Sequence, residues 1–216
     1  MIRYPYIALE GLIGAGKTTL AKRLAADLNG RLVLEEFDDN PFLPRFYADP
    51  KRYAFSVELS FLAQRYHQLK RVTEHDLFHA CTVADYSLGK SLVFAKATLD
   101  GDEHALFMDL YRIMFADLPK PDLLIYLHPP LDLVRDRIRL RGRSFELGIT
   151  DAYLQRLQEG YMDHLQKLPG QRVLVLDIGA GDLRGSGPDY EAVLDVLSEP
   201  LAAGFHVRVL PSTVRS

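Results

Sequence analysis

The 216-residue sequence holds a single cysteine, Cys81. One thiol closes no internal disulfide and builds no zinc cluster. Its neighbours Ala80, Thr82, Val83 and Ala84 predict a buried strand thiol. The seven histidines show no ligand spacing. No apolar run approaches the length of a membrane-spanning helix. The N-terminus enters directly into a first strand, with no apolar signal region before it. A reduced, cytoplasmic setting without a membrane partner is therefore expected. Charge of neither sign prevails: 26 Lys and Arg stand against 29 Asp and Glu, a net charge of −3. That balance argues against a nucleic-acid partner. There is no internal repeat and no interdomain linker. With 48% hydrophobic residues, the chain is expected to form one globular domain over residues 1–216.

What is present is concentrated near the start. Residues 11–18 read Gly-Leu-Ile-Gly-Ala-Gly-Lys-Thr, a complete phosphate-binding loop of the form GxxxxGK[ST]. The apolar run Tyr6-Ile7-Ala8-Leu9 precedes it and a helix-forming stretch from Thr19 to Leu28 follows, which is the strand–loop–helix setting the motif requires. Gly11, Gly14 and Gly16 let the backbone turn its N–H groups inward, with Ala15 and Thr19 completing the cradle. The helix beginning near Lys17 adds partial positive charge. Lys17 is expected to reach the outer phosphates, and the Thr18 hydroxyl to ligate Mg²⁺.

Beyond the loop, short apolar runs near 5–10, 31–36, 80–85, 122–128 and 172–177 read as buried parallel strands. Helical stretches lie between them. Residues 51–75 place Phe55, Leu59, Leu62, Tyr66 and Leu69 on one face. Residues 103–117 end before Pro119 and Pro121, and 131–140 and 151–168 flank an arginine-rich turn. The glycine-rich stretch 179–188 marks a loop before a last helix near 189–198, and 207–210 is a candidate edge strand. The expected architecture is an α/β, P-loop kinase fold: a five-stranded parallel sheet with helices on both faces.

In such a sheet ligands bind at the carboxyl ends of strands. Strand 2 ends at Glu35-Glu36, strand 3 at Asp85-Tyr86, and Arg137, Arg139, Arg141 and Arg143 crowd the turn after 131–140. Phosphoryl transfer to a hydroxyl needs a cradle for the donor, a metal, a base near the acceptor and cations on the transferred group. The loop supplies the first. Thr18 with Asp85 would hold Mg²⁺, directly or through water. Glu35 is placed to take the acceptor proton on the expectation that strand 2 lies beside the loop. The arginines form a lid over the γ-phosphate.

These segments resemble the deoxynucleoside kinase family, over nearly the whole chain to about residue 168. The most specific segment is Arg137-Ile138-Arg139-Leu140-Arg141-Gly142-Arg143-Ser144-Phe145-Glu146, followed by Gly148-Ile149 and Tyr153-Leu154, which is similar to the family's lid. The resemblance implies that Arg137, Arg141 and Arg143 hold phosphates of ATP and that Glu146 reaches the sugar 3′-hydroxyl. The second segment runs Glu35-Glu36-Phe37-Asp38-Asp39-Asn40-Pro41-Phe42-Leu43, then Phe46-Tyr47. It implies a general base for the 5′-hydroxyl at Glu35, with Glu36 as the competing choice. Tyr47 would meet the 3′-hydroxyl and favour deoxyribose. The third segment, 55–65, carries Glu58 and Arg65, where the family has glutamine and arginine facing the nucleobase.

Glutamine offers one donor and one acceptor, which suits adenine or cytosine; an ionised carboxylate only accepts. Guanine presents two adjacent donors, its N1–H and exocyclic amine. Glu58 therefore predicts a purine preference with deoxyguanosine favoured over deoxyadenosine, Arg65 serving O6 or N7. A carboxyl with a raised pKa would still accept adenine. One departure stands out. The family's acidic residue, arginine, then serine or threonine after strand 3 reads here Asp85-Tyr86-Ser87, leaving Lys90 as the candidate replacement for the arginine. The expected activity is ATP-dependent 5′-phosphorylation of a deoxynucleoside in nucleotide salvage. A thymidylate-kinase-like monophosphate kinase and a non-catalytic nucleotide-binding subunit paired with an active paralogue are the alternatives. Pairing of the helices at 51–75 and 103–117 across a two-fold axis is the expected route to a homodimer.

Overall fold

The computed structural model describes residues 3–36, 40–70, 72, 78–179, 181, 183, 185 and 187–211. Phe37, Asp38 and Asp39, most of residues 71–77, and parts of the glycine-rich stretch near 180–186 lie outside the described residues.

Six strands form one sheet in the order β2-β3-β1-β4-β5-β6, every neighbouring pair parallel. They are β1 (Tyr6–Gly11), β2 (Gly30–Val33), β3 (Cys81–Ala84), β4 (Leu123–His128), β5 (Arg172–Asp177) and β6 (Gly204–Val209). The expected count was five. β6 is the sixth: a full strand, paired with β5 from Arg172↔Gly204 to Asp177↔Val209. The candidate edge strand at 207–210 is its C-terminal part; the full strand was left out of the count because its exposed half alternates apolar and polar residues, whereas β1 and β4 are buried almost throughout. Cys81 is a buried thiol in β3.

A second correction concerns β2. It pairs with β3, not with β1, so it sits at the sheet edge with β3 between it and the phosphate loop. It also ends at Val33, two residues before Glu35.

Eight α-helices and a 3-10 turn (Ser144–Glu146) complete the described chain: α1 (Lys17–Asp27), α2 (Leu43–Ala48), α3 (Pro50–Lys70), α4 (Gly89–Thr98), α5 (Gly101–Phe115), α6 (Leu131–Arg141), α7 (Asp151–Gln166) and α8 (Pro188–Ser198). Right-handed crossovers distribute helices over both faces of a parallel sheet. The main core is the apolar sandwich of β1, β3, β4 and β5 with α1, α7 and α8. A smaller cluster, with Phe46, Val57, Leu62, Leu99, Phe107 and Phe115 at its centre, ties α2, α3, α4 and α5 together. α2 and α4 had no counterpart in the expected element list. α3 ends at Lys70, and its inward face overlaps the one its apolar spacing suggests at Leu62 and Leu69 but is rotated toward Glu58 and Arg65. Ala54, Val57, Glu58, Leu62, Arg65 and Leu69 are its buried residues. Phe55, Leu59 and Tyr66 pack at the margin of the smaller cluster. No described helix is long and apolar enough to cross a membrane.

Candidate active site

The loop between β1 and α1 has the backbone its glycines allow. Gly11 has φ 148° and a Cβ there would lie 2.9 Å from the Leu127 carbonyl oxygen. Gly14 has φ 80°, and a Cβ would meet the Val134 carbonyl and Ile138 at 3.1 Å, so α6 seats directly on the loop. Between loop and lid lies a cavity of about 660 Å³ lined by Gly14 to Thr19, Arg137, Arg141 and Arg143. Lys17 Nζ donates to the carbonyls of Gly11 (2.9 Å) and Leu12 (2.8 Å). Burial and the nearby Lys90 lower the Lys17 pKa to about 8, against the pull of Glu10, Glu35 and Asp85. Arg137 donates to the carbonyl of Ala15 at 3.0 Å.

Asp85 joins the loop to the edge strand. One of its oxygens accepts from Thr18 Oγ1 at 2.5 Å, the other from the Glu35 backbone N–H at 2.7 Å. This carboxylate spans the gap that β3 leaves between β1 and β2. It therefore brings Glu35 to the phosphate loop despite the edge position of β2. Among the described residues no group of three or more His, Cys, Asp or Glu could hold a metal ion. Thr18 and Asp85 offer oxygen ligands alone, which suits Mg²⁺, an ion that keeps several waters and takes phosphate oxygens to complete its shell.

Glu35 is held from two sides. Arg65 donates to Oε1 through Nε (2.9 Å) and Nη2 (2.7 Å), and Lys90 Nζ bonds Oε2. Burial pushes the Glu35 carboxyl up, but Lys90 and Arg65 together outweigh it and bring its pKa to about 2. Arg65 is itself 2% exposed, donates to Ser91 Oγ at 2.7 Å and covers the Phe61 ring. The arginine expected at the nucleobase thus directs its hydrogen bonds to Glu35 and Ser91. Glu36 is exposed. Tyr86 is fully buried and its hydroxyl has no partner, so the ammonium of Lys90 faces Glu35 where the family arginine was expected.

The lid folds back on α2. Glu146 accepts from Arg141, and from Arg143 at 3.4 Å, and is 5% exposed. Phe145 stacks on Tyr47 with ring centroids 6.0 Å apart. Burial and the Glu146 and Glu58 charges raise the Tyr47 pKa. Beside these rings opens a second cavity of about 590 Å³, lined by Phe46, Tyr47, Thr98, Gly148, Tyr153 and Arg156 among others. Glu58 lies behind Thr98, 2% exposed, with Oε1 3.2 Å from the Thr98 hydroxyl. The two cavities share no lining residue: Arg141 and Arg143 line the one at the loop, Gly148 and Ile149 the one beside Tyr47.

Sequence reasoning missed Ser91 and Thr98, which have no motif, and also Glu10. The buried Glu10 carboxylate accepts from the Ser87 N–H (2.9 Å), the Ser87 hydroxyl (2.6 Å) and Tyr161 (3.0 Å). Its bonds fasten β1 to the turn after β3 and to α7, just ahead of the phosphate loop. A glutamate inside an otherwise apolar strand was the available signal.

The deoxynucleoside kinase family model matches residues 7–201. The chain is 37% identical to the deoxyguanosine kinase of Bacillus subtilis over 194 residues, covering 88% of this chain and 94% of the relative. It is 32% identical over 200 residues to the deoxyadenosine/deoxycytidine kinase of the same organism, covering 89% and 91%. A solved structure of M. mycoides deoxyadenosine kinase with bound dCTP superposes with a TM-score of 0.76 at 26% identity, covering 89% of this chain and 98% of that one.

Proposed function

Since the chain belongs to the deoxynucleoside kinase family, we propose that it transfers the γ-phosphoryl group of ATP to the 5′-hydroxyl of a purine deoxynucleoside, deoxyguanosine before deoxyadenosine, for nucleotide salvage. The observation that carries the reading is the Thr18–Asp85–Glu35 chain of hydrogen bonds, which ties the backbone of Glu35 to the phosphate loop and so supports an acceptor beside the triphosphate.

Each role follows from a position. The loop N–H groups and Lys17 hold the β- and γ-phosphates, and Arg137, Arg141 and Arg143 spread the charge of the moving group. Mg²⁺ bound at Thr18 and Asp85 would neutralise phosphate charge there. Glu35 orients the 5′-hydroxyl and takes its proton. A carboxylate with a pKa of about 2 is a weak base. Phosphoryl transfer through a loose transition state asks little more, because the attacking oxygen has formed little bond and keeps its proton until late. Lys90 is a positioning residue that holds Glu35 ionised and oriented. It answers the missing arginine, the feature that favoured a non-catalytic subunit. Tyr47 and Glu146 hold the 3′-hydroxyl. Glu58 reads the base, supported by its burial and by the 37% identity to a deoxyguanosine kinase.

The test is product analysis with Mg²⁺-ATP and each of the four deoxynucleosides in turn. The expected product is the 5′-monophosphate, formed fastest from deoxyguanosine. No turnover of any of them, or turnover only of a nucleoside monophosphate such as thymidylate, refutes the reading.

A further inference from the structure

We propose that a single proton on Glu58 selects the nucleobase: with Glu58 ionised the site takes deoxyguanosine, and with Glu58 neutral it takes deoxyadenosine and deoxycytidine. The inference rests on the kinase reading above and deepens it by turning a fixed preference into a pH-dependent one.

The geometry points to a carboxyl built to exist in both forms. Thr98 Oγ1 lies 3.2 Å from Glu58 Oε1 and 2.8 Å from the Phe94 carbonyl oxygen. A hydroxyl has one hydrogen, so it serves one of these acceptors at a time. When it turns to Glu58, it stabilises the carboxylate. A neutral Glu58 that carries its one proton on Oε2 still accepts from Thr98 at Oε1, so Thr98 serves either form and leaves that proton for the base. Glu58 Oε2 is buried with no partner in the protein. An ionised oxygen in that position lacks a donor, and a guanine N–H supplies one.

The surroundings hold the balance near neutrality. Arg65 on the same helix, Lys90 on α4 and Glu35 after β2 act on Glu58 by charge. Tyr47 on α2 and Tyr153 on α7 face it as well, both with raised pKa values and so protonated throughout the neutral range. Burial raises the Glu58 pKa more than Arg65, Thr98 and Lys90 lower it, bringing it to about 7.

The base edges match the two forms. Two carboxylate oxygens accept the N1–H and the exocyclic amine of guanine. A neutral carboxyl offers one O–H donor and one C=O acceptor, the same pair as a glutamine amide. That pair satisfies adenine N1 and its amine, or cytosine N3 and its amine. Each wrong pairing leaves a buried group without a partner, which a site of this kind rejects strongly.

The sign is direct. Raising pH ionises Glu58, so kcat/KM for deoxyguanosine rises while that for deoxyadenosine falls. Their ratio increases about tenfold per pH unit, whatever the pKa, because the two substrates use opposite forms of one group. Effects of pH on Lys17, Glu35 or ATP cancel in the ratio. The experiment measures kcat/KM for deoxyguanosine, deoxyadenosine and deoxycytidine from about pH 6 to about pH 8.5. A steep ratio, a flat ratio in Glu58→Gln with deoxyadenosine and deoxycytidine preferred, and proton uptake on binding deoxyadenosine at about pH 8 by calorimetry in two buffers support the proposal. A wild-type ratio flat with pH, or no proton uptake, overturns it and leaves the kinase reading standing. Absence of turnover with every deoxynucleoside overturns both. If Glu58→Gln fails to fold, the wild-type ratio and the calorimetry decide alone.

Discussion

Glu35 and Glu58 are both carboxylates withdrawn from water, yet their environments drive them apart. Glu35 meets two cations and stays ionised to about pH 2; Glu58 meets a hydroxyl at one oxygen, has no partner at the other, and titrates near 7. Environment, not residue type, sets the two apart. Lys90 is the lever on Glu35. In Lys90→Met the pKa of Glu35 rises, since a cause of its depression is gone, and the acid limb of the kcat/KM profile moves to higher pH. kcat falls by about 10²-fold, and Lys90→Arg restores most of it. Tyr86→Phe leaves kinetics unchanged, because the deleted hydroxyl bonds nothing. A Lys90→Met profile identical to wild type would remove Lys90 from the site. Among single residues, those in motifs were legible in the sequence: the loop glycines, Lys17, Thr18 and the lid arginines. Glu58 was legible as an oddity. Thr98 was not, since nothing local marks a threonine that reaches across from another helix.

At the scale of elements, α3 carries Glu58 and Arg65 seven residues apart on a buried face shared with Leu62 and Leu69. Apolar spacing alone pointed to a neighbouring face, because the site recruits charged residues inward and leaves aromatic ones at the margin. The edge position of β2 was likewise invisible, since strand order is a tertiary property that no run of residues encodes. α5 shows the converse. Its buried residues include Phe107 and Phe115, while Leu106 and Ile113, one heptad apart, are 51% and 76% exposed. That exposed stripe supports pairing of α5 with its counterpart in a symmetric dimer. Ile113→Glu should convert a dimer into a folded monomer by light scattering, with circular dichroism unchanged. A wild-type chain that is monomeric at all accessible concentrations would dismiss the pairing.

Across the whole molecule, two cores meet at the site. The sheet sandwich presents the phosphate loop and Asp85; the smaller cluster of α2 to α5 presents Tyr47, Glu58 and Thr98. The α/β class and the parallel sheet could be read from alternating apolar runs and helical stretches, because fully buried parallel strands leave that imprint. The way the two cores face each other could not, as it depends on Arg65 and Lys90 converging on Glu35 from α3 and α4. That convergence is where the account is most exposed. The most direct test is Glu35→Gln, assayed with deoxyguanosine and Mg²⁺-ATP alongside ATP binding and thermal stability. Retained ATP affinity with a loss of kcat of about 10²- to 10⁴-fold is the predicted result. Full turnover by Glu35→Gln would contradict the account and move the base elsewhere.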